Sequence, residues 1–153
     1  MQAREEITGL MEDFPDELLW IKPAGVASPG FHLQHLTGVL SRLFTYADNR
    51  QLTPEQLKYL AAEGKQEETN DRVQQLVDRF NQQVETAIGH LKNADVNTLT
   101  APRGVGRAML PSTVMGLYTH AAEHTMRHTG QLLVTVNILK ANWQDVQSNR
   151  LAE

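Results

Sequence analysis

The chain has 153 residues, 41% of them hydrophobic and 21% charged, with a formal net charge of -4. That balance suits one globular domain able to bury its own core, and the scattered Lys and Arg lack the clustering of a nucleic-acid surface. The absence of cysteine excludes thiolate zinc sites, disulfides and Cys nucleophiles. No apolar run is long enough for a signal peptide or a bilayer span, so the default expectation is a cytoplasmic protein without membrane contact.

A short first helix is expected over Gln2 to Glu12, with Ile7, Leu10 and Met11 on one side. A turn region follows from Phe14 to Pro23, then a loop to Gly30. Ser28 suits an N-cap and Pro29 the first helical position, so a second helix should run from Pro29 to Ala47. Its apolar stripe is His32, Leu36, Val39, Leu40, Leu43 and Phe44. Thr53-Pro54 opens a short helix in a long crossover, and Gly64 closes it. A third long helix is expected from Glu67 to Lys92, with the stripe Val73, Leu76, Val77, Phe80, Val84, Ala87, Ile88 and Leu91.

Asn93 to Pro111, with Pro102, Gly104 and Gly106, is expected to be a strandless loop. Ser112 or Thr113 then caps a last long helix to about Ala141, striped by Leu117, Ala121, His124, His128, Leu132, Thr135 and Leu139. The pattern predicts an all-α four-helix bundle. A long crossover holding a short helix joins helices two and three, so that these run parallel. Residues 1–142 form the bundle and residues 143–153 a polar C-terminal tail in which Trp143 and Val146 are available to pack.

Five of the six histidines fall in two windows: His32 and His35, and His120, His124 and His128. Residues four apart on a helix lie about 6 Å apart on nearly one face, and neutral imidazole is the commonest protein metal ligand. His124 and His128 therefore supply two ligands from one rigid helix. A third must come from elsewhere, and His35 is the better candidate of the earlier pair. Three imidazoles plus water make the open site typical of catalytic zinc, with nickel, iron or manganese also compatible. The competing reading is a hydrogen-bonded histidine network in the core with no ion. His32 and His120 are expected to line the pocket or support the ligands, as is Gln131. His90 has no partner in the pattern and is read as a surface residue.

The segments Phe31-His-Leu-Gln-His-Leu-Thr-Gly-Val-Leu-Ser-Arg-Leu-Phe-Thr-Tyr46, Leu110-Pro-Ser-Thr-Val114 and Glu123-His-Thr-Met-Arg-His-Thr-Gly-Gln131 resemble the DinB-like (DinB/YfiT) superfamily of metal-dependent proteins. The resemblance spans nearly the whole chain. It implies a four-helix bundle, usually a homodimer, with a divalent metal, most readily Zn or Ni, on a histidine triad that carries over to His35, His124 and His128. Many members have Arg after the last histidine, where this chain has Thr129. Characterised relatives include transferases that use low-molecular-weight thiols and a thiol-dependent isomerase. The resemblance therefore implies a metal-dependent thiol transferase or hydrolase, in which a thiol cosubstrate taken up as thiolate attacks a small electrophile. The alternative is a non-catalytic metal-binding or stress-response bundle. No catalytic residue beyond the ligands is assigned.

Three lesser features complete the reading. Glu123 points about 100° away from His124 and is not expected to act on the metal. Arg103-Gly-Val-Gly-Arg107 is a basic loop able to bind cosubstrate carboxylates, although a solvated loop is the plainer expectation. Trp20, Phe31 and Tyr46 are either pocket-mouth residues or core aromatics.

Overall fold

The computed structural model describes residues 2–66 and 72–150, with side chains described through Gln144. The described chain is mostly helical: α1 (Gln2–Met11), α2 (Pro29–Ala47), α3 (Pro54–Ala62), α4 (Val73–Lys92) and α5 (Val114–Arg150). A two-stranded antiparallel sheet pairs β1 (Pro102–Val105) with β2 (Leu110–Thr113). None of the described helices is long and apolar enough to cross a membrane.

The caps explain where the helices begin. The Ser28 hydroxyl accepts the Phe31 amide at 3.3 Å, and Pro29 supplies the first helical position of α2. Thr53 and Gln56 cap α3 reciprocally, each side chain accepting the other's backbone amide. Gly64, with φ +80, turns the chain out of α3 in a conformation that side chains disfavour. The predicted start of the next helix at Glu67 lies outside the described residues. Its described beginning is at Val73, whose amide is held by Asp16 Oδ1 at 2.8 Å. Thr113 caps α5 by accepting the Gly116 amide at 3.0 Å.

α2 packs on both α4 and α5, and α1 also touches both. Ile7, Leu33, Leu36, Leu76, Phe80, Leu117, Leu132 and Val136 are all but inaccessible at their centre. Burying each contributes roughly 1.5–3 kcal/mol before entropy is counted. The stripe expected on α2 is buried throughout. That of α4 is buried from Val73 to Phe80, but it rises to the surface at Leu91, which is 45% exposed.

Three expectations need correction. The segment from Asn93 to Pro111 is not strandless. Its strands are four residues each and carry Pro and Gly, so no alternating apolar pattern announces them. Leu117, Ala121, Leu132, Thr135 and Leu139 of the stripe expected on α5 are buried, but Thr125, Thr129 and Val136 complete it in place of His124 and His128, which are only half-buried. Thr125 and Thr129 pass as core residues because their hydroxyls donate to the carbonyls of Ala121 and Thr125. Finally, α5 continues through Arg150 instead of stopping near Ala141. Trp143 packs against the core from it, while the side chain of Val146 lies outside the described residues.

Candidate metal centre

α2 and α5 cross so that His35 faces His124 and His128. One ring nitrogen from each of the three lies within 4.8 Å of the others. The closest pair is His35 Nε2 and His124 Nε2, 2.9 Å apart. Ring centroids are 4.5 Å apart for His35 and His128 and 4.6 Å for His124 and His128. All three rings are half-buried, because the histidines flank the threonine-containing core stripe of α5 and do not sit in it.

The far side of His35 is held by Glu63, the residue that ends α3. Glu63 Oε2 accepts from His35 Nδ1 at 2.7 Å, and its Oε1 accepts from the Arg42 guanidinium at 2.5 Å. The Glu63 side chain is 6% exposed, so this carboxylate is buried between a cation and an imidazole. Its position fixes the His35 proton on Nδ1 and leaves the Nε2 lone pair directed at the other two histidines. Gly38 makes the arrangement fit: a Cβ there would stand 2.5 Å from both the Arg42 nitrogen and Glu63 Oε1. Phe31 covers the His35 ring in a near-parallel stack, 5.3 Å between centroids and 9° between planes.

His32 is buried and approaches His128, Nδ1 to Nδ1, at 3.1 Å. Burial, then His35, lowers the His32 pKa to about 4. Burial, followed by His35, His124, His32 and Arg127, lowers that of His128 to about 4 as well. Burial and then His35 also lower that of His124. These rings are neutral at pH 7, the form in which imidazole binds a metal ion.

The donor set fits such an ion. A tetrahedral zinc with bonds of about 2.1 Å spaces its nitrogens about 3.4 Å apart, a value bracketed by the 2.9 Å contact and the 4.8 Å limit. With the His35 proton on the Glu63 side, a cation between the rings lets both Nε2 atoms act as acceptors. Without one, His124 must donate from Nε2 to His35; in both cases its buried Nδ1 has no hydrogen-bond partner.

Other expected residues fall outside this cluster. The His120 side chain is 48% exposed, with its Nδ1 3.8 Å from Glu123 Oε2 and its ring 5.3 Å from that of His124. Gln131 is exposed and lines a neighbouring cavity with His32, Arg127 and Gly130. Glu123 pairs with Arg127, as its angular position on the helix implied. Thr129 is buried in the core, where an Arg would not be accommodated. Trp20 lies flat against Gly30, where any Cβ would strike its ring, so it packs as a core aromatic.

Two expectations are overturned here. His90 is not a partnerless surface residue: its Nε2 lies 3.1 Å from both Asp48 Oδ1 and Tyr118 Oη. Arg103 is not a freely solvated loop residue either. Its Nε donates to the Ala47 carbonyl at 2.6 Å, clamping the C-terminus of α2. Twelve residues of helix, about 18 Å, separate that carbonyl from His35. The sequence reading missed Glu63 and Arg42 altogether. The one available signal was an acid immediately before the glycine that closes α3, and nothing local ties that acid to a histidine 28 positions earlier.

No curated protein matches the chain. The family model of the DinB superfamily matches residues 1–132, which include α1 to α4, the hairpin and every histidine of the cluster, and the chain belongs to that superfamily.

Proposed function

We propose that His35, His124 and His128 hold a divalent metal ion and that the chain is a metal-dependent thiol transferase or hydrolase. The observation that carries this is the convergence of three neutral imidazoles with His35 backed by a buried carboxylate. When bound, a Zn or Ni ion supplies Lewis acidity, lowering the pKa of a thiol or water that reaches it. The protein's own residues supply the rest. Glu63 and Arg42 hold the His35 ring and its tautomer, Phe31 shields one face, and His32 supports His128. In this reading α1, α2, α4 and α5 form a four-helix bundle, as the contacts of α2 and of α1 with both α4 and α5 suggest. A small electrophile and a low-molecular-weight thiol are the substrates, and the functional unit is a homodimer.

The half-exposure of the three rings and the cavity beside His32 favour a site open to ligands over a closed structural one. The test is metal analysis of protein purified without a histidine tag, beside His124→Ala. A stoichiometric ion in the wild type and its loss in the variant are expected; retention by the variant overturns the assignment. Metal-dependent conjugation of a thiol to a panel of electrophiles then tests catalysis, and a rate that never exceeds background counts against the transferase.

A further inference from the structure

We infer that the cavity between α2, α3 and α4 binds a small amino carboxylate, its carboxylate held inside by Arg42 and its ammonium held at the mouth by Glu55. The inference is independent of the metal-site proposal, since no histidine lines this cavity. The cavity encloses about 240 Å3, just below the range of drug-sized ligands, so its occupant is a molecule of few heavy atoms. Its lining side chains are polar throughout and include two charges of opposite sign, Arg42 and Glu55. Ser41, Gln56, Tyr59 and Gln83 supply uncharged hydroxyls and amides. A polar wall with one cation and one anion complements a molecule that itself carries both charges. A single guanidinium sharing the wall with a carboxylate disfavours a multiply charged anion such as phosphate.

Arg42 is the deep end of the site. The residue is 8% exposed, and among the described residues its one hydrogen bond runs from Nη1 to Glu63 Oε1. A guanidinium has five N–H donors in a planar fork, and a buried donor without a partner is costly. The cavity is where a second carboxylate can meet the donors that Glu63 leaves over. Ser41 adds another: its Oγ accepts from Gln56 Nε2 at 2.8 Å, which leaves its own hydrogen to donate. Glu55 is the exposed end. Its own amide, then the Thr53 hydroxyl, hold its carboxyl below the usual range, so it stands at the mouth as an anion.

The experiment titrates the full chain, labelled with nitrogen-15, with β-alanine, propionate or β-alaninamide and follows the backbone amides by NMR. β-Alanine carries both charges, propionate lacks the ammonium and β-alaninamide lacks the carboxylate. β-Alanine should shift the Gly38, Ser41 and Tyr59 amides and bind about tenfold more tightly than either partial probe, as one added charge-assisted contact implies. Glu55→Gln should abolish its advantage over propionate. Gln83→Trp should weaken β-alanine about tenfold or more by filling the cavity from α4. Glu55→Gln changes an exposed residue, so it keeps the test decisive if the tryptophan disturbs packing. Equal affinities for the three probes, shifts confined to other parts of the chain, or an advantage over propionate that survives Glu55→Gln overturns the inference, as does unchanged β-alanine binding in a folded Gln83→Trp. Metal content plays no part in these readings, so the inference and the metal-site proposal fail separately.

Discussion

Glu63 Oε2 lies 2.7 Å from His35 Nδ1, and through this one contact the end of the crossover helix α3 reaches the histidine cluster. Helix α3 buries none of its own residues fully and is held to α2 largely by polar contacts. Gln56 Nε2 donates to Ser41 Oγ and Thr45 Oγ1, and the Gly64 amide donates to Gln34 Oε1. Glu63→Gln keeps the shape but removes the charge that His35 and Arg42 share. Loss of such a supporting carboxylate should weaken metal binding about 10- to 100-fold. Competition against a chromophoric chelator measures this, and an unchanged affinity would show that Glu63 matters only to packing.

Gly38→Ala tests the same unit from beneath. Alanine is the better helix former by about 1 kcal/mol, so an unconstrained site would gain stability. Here the new Cβ would lie 2.5 Å from both Glu63 Oε1 and the Arg42 guanidinium. Overpacking should win, with a net loss of about 1–2 kcal/mol in urea unfolding and weaker metal binding despite three untouched ligands. A more stable variant would mean the Arg42–Glu63 pair moves aside freely.

Local signals were legible wherever they sit within one turn of helix. Ser28-Pro29 and Thr53-Pro54 mark helix starts because cap chemistry is local, and the His124/His128 spacing places both rings on one face. The partnership with His35 was implied by the family resemblance, which carries a histidine triad onto these three positions. What was not legible is what long-range packing decides. Glu63 meets His35 across a crossover, Arg103 meets Ala47 from a hairpin, and His90 meets Asp48 and Tyr118 from three separate helix ends. The α5 stripe was misdrawn for a different reason: Thr125 and Thr129 look polar, yet each hydroxyl is satisfied by the preceding turn. The core therefore accepts them, and the histidines shift to its edge.

Acid should destabilise the metal-free protein. His32 and His128 have folded-state pKa values lowered to about 4, against about 6.5 for an unfolded histidine. The unfolded chain therefore binds protons first as pH falls. The contribution of these neutral rings is fully present above about pH 6.5 and is lost progressively between there and about pH 4. His35 and His124, each charged if protonated, and Arg127 beside His128 all oppose the added proton. Melting temperature across this window, with imidazole NMR titration, checks the sign. Stability that stays flat to pH 4, or rises, would show that these rings are not buried neutral. Saturating zinc should deepen the acid dependence, since protons and metal compete for the same nitrogens.

Arg103→Ala separates the end of α2 from the part that carries His35. The guanidinium Nε donates to the Ala47 carbonyl at 2.6 Å, satisfying an acceptor at a helix terminus that has no intrahelical partner. Its cation also sits favourably at the negative end of the α2 dipole. Removing it should cost about 1–2 kcal/mol in unfolding free energy, and the nearby polar cavity lined by Asp48, His90 and Tyr118 should loosen with it. Metal stoichiometry and affinity should not change, because His35 lies about 18 Å along the helix. Calorimetry and chelator competition on the same variant give both readings. A large fall in metal affinity with little loss of stability would show that Arg103 acts on the histidine site and is not confined to the end of α2 that its contact with Ala47 marks.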